Sequence, residues 1–297
     1  AFEASTGKVA WSLKGGAMFK GSLCAYANKL YIGNTDDLLR CIDAATGRLL
    51  WTFNTGRDCD SSPCVIDGRL YIAGENGWAR CLDPDTGREI WKTFMGGIGP
   101  GTLPGSNGSE TSPAVVDAEY YAATYDGDLF CIETRSGRVK WKTKTHDDTD
   151  ASPVVAGEFV YAAAEEKASN LYCFARDSGR EVWRYADNKR GYWSTPAFAD
   201  GRIYVGGDDN NLHCVDAKSG KGLWRFQTGD KVWSSPCVVD GKVVFGCHDF
   251  HIYMLDAATG REISRLKLDG RIISSPCIMG GKVWVGTATG YFYCLGA

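Results

Sequence analysis

From end to end the chain alternates short apolar runs, rich in β-branched and aromatic residues, with pairs of turn residues. Between residues 234 and 265, Pro236-Cys237-Val238-Val239 is followed by Asp240-Gly241, Val243-Val244-Phe245, His248-Asp249, Ile252-Tyr253-Met254-Leu255 and Thr259-Gly260. Runs of that length bounded by Gly and Asp predict four strands joined by hairpins. The unit recurs. Thr-Gly or Ser-Gly falls at Thr6-Gly7, Thr46-Gly47, Thr86-Gly87, Ser136-Gly137, Ser178-Gly179, Ser219-Gly220 and Thr259-Gly260. Four residues after the Gly stands Trp11, Trp51, Trp91, Trp141, Trp183 or Trp224, and in the seventh copy Ser264. A second marker appears at Ser62-Pro63, Ser112-Pro113, Ser152-Pro153, Thr195-Pro196, Ser235-Pro236 and Ser275-Pro276, with Ser22-Leu23 as a degenerate first copy.

Seven four-stranded units at a period of about 40 residues predict an all-β fold, a seven-bladed β-propeller of four-stranded antiparallel blades. Residues 1–297 are expected to form that single domain. The last residues lie in the third strand of a unit, and the first residues fall where such a unit would continue. The last blade is therefore expected to close by pairing an N-terminal strand near residues 8–13 with a C-terminal one near 291–295, which removes an open sheet edge.

With 44% hydrophobic and 12% aromatic residues the chain can fill a core. A net charge of −3 supplies no basic footprint for nucleic acid. No apolar run approaches the ~18 residues of a membrane-spanning helix, and no basic segment followed by an apolar one opens the chain, which starts without Met as a processed protein or excised domain would. Twelve cysteines change the picture more. Cys41, Cys81, Cys131, Cys173, Cys214 and Cys294 share one repeat position, where Met254 substitutes, and Cys24, Cys64, Cys237 and Cys277 share another, where Ala114, Val154 and Ala197 substitute. Replacement by Met, Ala and Val marks sites that want a small or soft apolar group. The two positions lie on strands separated by a third, so reduced core thiols are expected. A chain so rich in thiols points to a reducing compartment, the cytoplasm, with a periplasmic or exported location as the alternative.

The spacing Ala44, Thr46, Gly47, Trp51, repeated in shifted form around Ala217, Ser219, Gly220 and Trp224, resembles the tryptophan-docking repeat of PQQ-like propellers. That family includes quinoprotein alcohol dehydrogenases and BamB-type outer-membrane assembly lipoproteins. The Ser-Ser-Pro-Cys copies ending at Cys64, Cys237 and Cys277 also resemble the propeller appended to some acyl-adenylating enzymes. For the catalytic branch the resemblance implies PQQ on the axis, calcium held by acidic and amide side chains, a catalytic Asp and often an adjacent Cys-Cys disulfide. This chain has no adjacent Cys pair, and it counts seven units where those dehydrogenases usually have eight. The reading is a non-catalytic ligand- or protein-binding module without cofactor, a monomeric domain belonging to a larger protein or complex. A quinoprotein-type oxidoreductase, or another enzyme using acidic rim residues, is the alternative.

Candidate chemistry is sparse. Cys247-His248-Asp249-Phe250-His251 carries metal-ligating residue types, but adjacent strand residues point to opposite faces, so no metal site is expected there. More informative is the residue three before each marker Pro, or before Leu23 in the marker's place: Lys20, Asp60, Glu110, Asp150, Trp193, Trp233 and Ile273. Duplication alone would give seven alike. Three carboxylates followed by two indoles, with Asp58, Asp147, Asp148 and Tyr192 nearby, suit a cation held by ion pairing and cation–π contact, while Arg57, Arg190, Lys231 and Arg271 offset that charge. The expected ligand set is Lys20, Asp60, Glu110, Asp150, Tyr192, Trp193, Trp233 and Ile273, and the ligand a small cation or a basic side chain of a partner protein. The alternative is a solvated rim with Trp packed between units. An insertion at residues 96–109, with six glycines and two prolines, is expected to lean over the site beside Glu110.

Overall fold

Residues 24–54 show how one repeat folds. In the computed structural model, which describes residues 1–96, 108–165 and 170–296, the strands Cys24–Tyr26, Lys29–Ile32, Leu38–Asp43 and Leu49–Asn54 form an antiparallel sheet in chain order. The first hairpin turns at Ala27 and Asn28, both with positive φ, and Asp67-Gly68 and Asp240-Gly241 do the same in other repeats. These are the mirror-image turns whose twist matches that of paired strands. The third turn is held by Asp43, whose Oδ1 accepts the Thr46 N–H at 2.8 Å and the Thr46 hydroxyl at 2.7 Å. Those bonds hold the Asp43 carboxyl below its usual range, and Asp83, Asp216 and Asp256 repeat the device. Across the sheet Cys24 faces Tyr31, Tyr31 faces Cys41 and Cys41 faces Trp51, after which a bulge shifts the outer strand.

The chain divides into two compact units, Ala1–Lys142 and Thr143–Ala297. The first carries three such sheets, the last of them reaching Lys144. The second carries three more four-stranded sheets and a final one of three strands, Cys277–Met279, Lys282–Gly286 and Phe292–Leu295. Seven sheets in chain order, with no helix among the described residues, make this an all-β, seven-bladed propeller fold. No helix among the described residues is long and apolar enough to cross a membrane. One expectation is corrected: residues 8–13 form no fourth strand of the last sheet. The segment folds back on itself through an isolated Phe2↔Val9 bridge, and Trp11 donates its indole N–H to the Ala44 carbonyl at 3.0 Å.

That Trp11 contact is one instance of the joint between successive blades. The indole of Trp51 packs on Gly87, Trp183 on Gly220 and Trp224 on Gly260 so closely that a Cβ there would lie within 2.8 Å of a ring carbon. Glycine is thus needed twice, for a φ near +71° and for the approach of the ring. In three joints a Tyr and a Trp of one blade donate to the same carbonyl of the next: Tyr31 and Trp51 to Pro84, Tyr161 and Trp183 to Ala217, Tyr204 and Trp224 to Ala257, all at 3.0–3.2 Å. Each of these Tyr–Trp pairs has ring centroids 5.8–5.9 Å apart, a tilted contact worth ~0.5–1.5 kcal/mol beyond its buried area.

The Ser-Pro marker makes a second joint. The N–H of Ser22 donates to Ser62 Oγ at 2.8 Å and that of Ser62 to Ser112 Oγ at 2.9 Å. In the second unit Ser152 donates to Thr195, Thr195 to Ser235 and Ser235 to Ser275 at 3.0–3.1 Å. No disulfide joins any of the twelve cysteines. Most are buried or half-buried, but Cys277 and Cys294 of the last sheet are exposed.

Candidate functional site

A backbone hydrogen bond common to all seven repeats brings the same positions together at one end of each blade. The residue twelve after the marker Pro donates its N–H to the carbonyl of the residue five before it: Thr35 to Met18, Glu75 to Asp58, Tyr125 to Gly108, Glu165 to Asp148, Asp208 to Gly191, His248 to Lys231 and Ala288 to Arg271, at 2.9–3.3 Å. The residue three before the Pro lies between them in sequence. Two repeats place the same acids at these positions, Asp58/Asp60/Glu75 in the first unit and Asp148/Asp150/Glu165 in the second.

In the first unit one carboxylate oxygen each from Asp58, Asp60 and Glu75 lies within 4.8 Å of the others. Lys20 Nζ donates to Asp60 Oδ2 at 2.5 Å and stands 3.5 Å from Glu110 Oε1. The Asp60 side chain is only 2% exposed, and its Oδ1 is buried without a hydrogen-bond partner. Burial works against the Lys20 charge, yet Asp60, Glu110 and Glu75 together hold its pKa above the usual lysine value. Burial also lifts the Asp60 carboxyl above its usual range against the pull of Lys20. One ammonium does not balance this group of acids. Burial, a hydrogen bond shared with Glu110 and the charges of Asp60 and Asp58 push Glu75 up to about 8.

The second unit repeats the arrangement. One oxygen from each of Asp148, Asp150 and Glu165 lies within 4.8 Å of the others. Glu165 is 5% exposed and its Oε1 is buried with no hydrogen-bond partner. Burial first, then the charge and hydrogen bond of Asp150 and the charge of Asp148, raise its pKa to about 9. Each group therefore holds a proton near neutral pH in a place suited to a positive charge. Three hard oxygen donors also fit a calcium-like ion, and these are the two groups among the described residues whose geometry permits one.

The next two repeats of the second unit build an aromatic site. Trp193 and Trp233 stack with centroids 4.8 Å apart and planes 17° from parallel. Trp233 Nε1 donates to Asp208 Oδ1 at 2.5 Å, and Lys231 Nζ donates to Asp208 Oδ2 at 2.6 Å while lying 5.4 Å from the Trp233 ring centroid. His248 meets the same ring edge-on at 4.5 Å, and burial lowers its pKa. The Trp233 indole and the Asp208 carboxylate thus already hold one cation, Lys231.

Of the residues the sequence singled out, Lys20, Asp60 and Glu110 meet in the first unit, Asp150 belongs to the second acid group, and Trp193 and Trp233 form the stack. Ile273 is exposed at its place in the last repeat. Tyr192 is misplaced in that set: it is fully buried in the core against the His213 ring, 5.7 Å away, because its neighbour Trp193 takes the outward position. The insertion at 96–109 falls largely outside the described residues. Sequence reasoning missed Glu75, Glu165 and Asp208, although their common distance from Pro63, Pro153 and Pro196 would have found them. In the Cys247–His251 segment, the Cys247 thiol donates to the Asp230 and Lys231 carbonyls and His251 Nδ1 lies 3.0 Å from the Asp249 carbonyl, local contacts that stabilise the turn.

A family model described as outer membrane protein assembly factor BamB matches residues 1–164 and 167–262. No curated protein matches the chain. Among solved structures, BamB from Moraxella catarrhalis superposes with a TM-score of 0.78 at 18% identity, covering 96% of this chain and 87% of that one. A europium-containing methanol dehydrogenase gives 0.74 at 15% identity, covering 92% of this chain and 72% of that one. At such identities both show the shared fold.

Proposed function

The chain belongs to the family described as outer membrane protein assembly factor BamB, and from that membership we propose that it is a protein-binding module whose acid groups take basic side chains of a partner. One observation carries the reading: the same Asp-x-Asp and distant Glu are brought within 4.8 Å twice, once in each unit. Like charges so close cost stability unless a proton or a cation joins them. A guanidinium or ammonium entering either group displaces the proton on Glu75 or Glu165 and supplies the missing charge. The stacked Trp193 and Trp233 offer an apolar flank for the stem of such a side chain. The family description also supports an exported location over the cytoplasm.

An oligo-arginine peptide of about eight residues serves as the probe, followed by isothermal titration. Binding should release protons, tighten as pH rises toward about 8–9, and weaken with salt. Glu75→Gln and Glu165→Gln should each lower affinity at low salt, and Trp193→Ala should cost ~0.5–2 kcal/mol at every salt concentration. Affinity untouched by all three substitutions would overturn the reading. Calcium replacing the peptide with the same proton release would assign the groups to metal instead, and dye reduction after addition of PQQ and calcium would favour the oxidoreductase alternative.

A further inference from the structure

The sixth sheet lacks the Tyr–Trp pair that each of the five sheets before it carries. At the register positions held by Tyr204, Cys214 and Trp224 in the sheet before it, this sheet has Val244, Met254 and Ser264. The Tyr, the Trp and the Cys between them are replaced together, which removes both rings with their O–H and N–H and leaves the Ser264 hydroxyl in their place. What remains is a cleft of about 340 Å³ lined by those three residues and by Ile252, Val283 and Leu295. Val244 and Ile252 are buried core residues, packed with Ile272 and Val285, so the floor of the cleft is rigid and apolar. Its outer wall, the strand Glu262–Lys267, is exposed along its whole length. Entry therefore requires no strand to separate.

We propose that this cleft binds a small free aromatic molecule with one polar N–H or O–H, of the indole or phenol class. The protein itself shows what such a site accommodates, since in the preceding joint it is filled by a tilted phenol–indole pair whose centroids are 5.8 Å apart. The volume lies at the lower end of the ~300–1,000 Å³ range of small-ligand sites, and apolar cavities of roughly half that size take up benzene. The Ser264 hydroxyl and the Arg265 side chain at the edge of the cleft provide polar partners for the ligand's N–H or O–H and its ring face. The site lies in the outer half of the blade and does not involve the acid groups proposed to bind basic side chains.

The whole chain is titrated with indole, phenol and cyclohexanol, by calorimetry and by thermal unfolding. Indole and phenol should bind and raise the melting temperature by a few degrees, and cyclohexanol should bind about tenfold more weakly or worse. Ser264→Trp places the ring within the cleft, so it should abolish indole binding and by itself raise the melting temperature. If that variant fails to fold, Met254→Phe narrows the cleft and should weaken indole about tenfold. Indole that binds the parent and the filled variant alike, fails to bind the parent at its solubility limit, or binds no better than cyclohexanol overturns the proposal.

Discussion

The carbonyl of Ala257 accepts two donors, Tyr204 Oη at 3.0 Å and Trp224 Nε1 at 3.2 Å, and the two bonds should not be worth the same singly as together. Tyr204→Phe removes one donor but leaves the carbonyl satisfied by the other, so it should cost ~0.5–1.5 kcal/mol. Trp224→Phe removes the second donor and part of a ring packed on Gly260. It should cost more, roughly 2–3 kcal/mol, a share of the ~3–5 that full truncation of a buried Trp costs. The double substitution leaves a buried carbonyl with neither donor, which adds the ~1–3 kcal/mol of an unsatisfied group. The sum of the single effects should therefore be exceeded by ~1–2 kcal/mol, within the range of couplings between residues that share a partner. Urea unfolding with an unchanged slope against denaturant measures this directly. In thermal unfolding each kcal/mol should appear as roughly 2–4 °C for a unit the size of the second one. If the two substitutions add within ~0.5 kcal/mol, the carbonyl is not shared and the account of the joint is wrong.

Two further outcomes are expected. Glu75 and Glu165 have folded-state pKa values of about 8 and about 9 against an ordinary 4.5, so the folded chain binds more protons than the unfolded one between those limits. Stability should then fall as pH rises from about 5 toward 8–9, and the double Gln variant, followed by urea unfolding at several pH values, should flatten that slope. A slope unchanged in the variant would place its origin elsewhere. Native thiol titration should find Cys277 and Cys294 reacting at once, while burial pushes buried thiols such as Cys59 and Cys247 up to about 12 and keeps them silent until unfolding; rapid reaction of most thiols in the folded chain would contradict the packing.

The fold was legible because each repeat spends its distinctive residues on its own joints. Gly87 and Trp51, from different blades, meet in one contact, so their periodic recurrence reports tertiary structure as well as a local turn. Closure of the last sheet was not legible in the same way. Trp11 sits on Gly47 as the repeat demands, yet residues 8–13 add no strand to the last sheet, because the contact of a Trp with its Gly does not require its own strand to pair. For the site, the position three before the Pro pointed to Asp60, which lies in an acid group, and to Trp233, which lies in an aromatic stack. It could not show that Asp58 and Glu75 join Asp60, since their meeting depends on the bond from the Glu75 N–H to the Asp58 carbonyl. Tyr192 shows the opposite error: adjacency in sequence was taken as adjacency in space, although one step along the chain turned the ring into the core.

The hydrogen bonds from one marker serine to the next bear on how such a chain can change over generations. Within each series a marker residue gives an N–H to the repeat after it and offers a hydroxyl to the repeat before it, as Ser62 does between Ser22 and Ser112, and Thr195 and Ser235 do between Ser152 and Ser275. Such head-to-tail links carry no record of how many units there are. A duplication or loss of one whole repeat leaves every surviving link chemically complete, whereas a loss of half a repeat strands a donor on one side and an acceptor on the other. The residue three before the Pro takes no part in these links, so it is released from the constraint that keeps the serines alike. Lysine, acid, indole and isoleucine at that place are what remains when copies of one ancestor keep their couplings and let their outward side chains diverge.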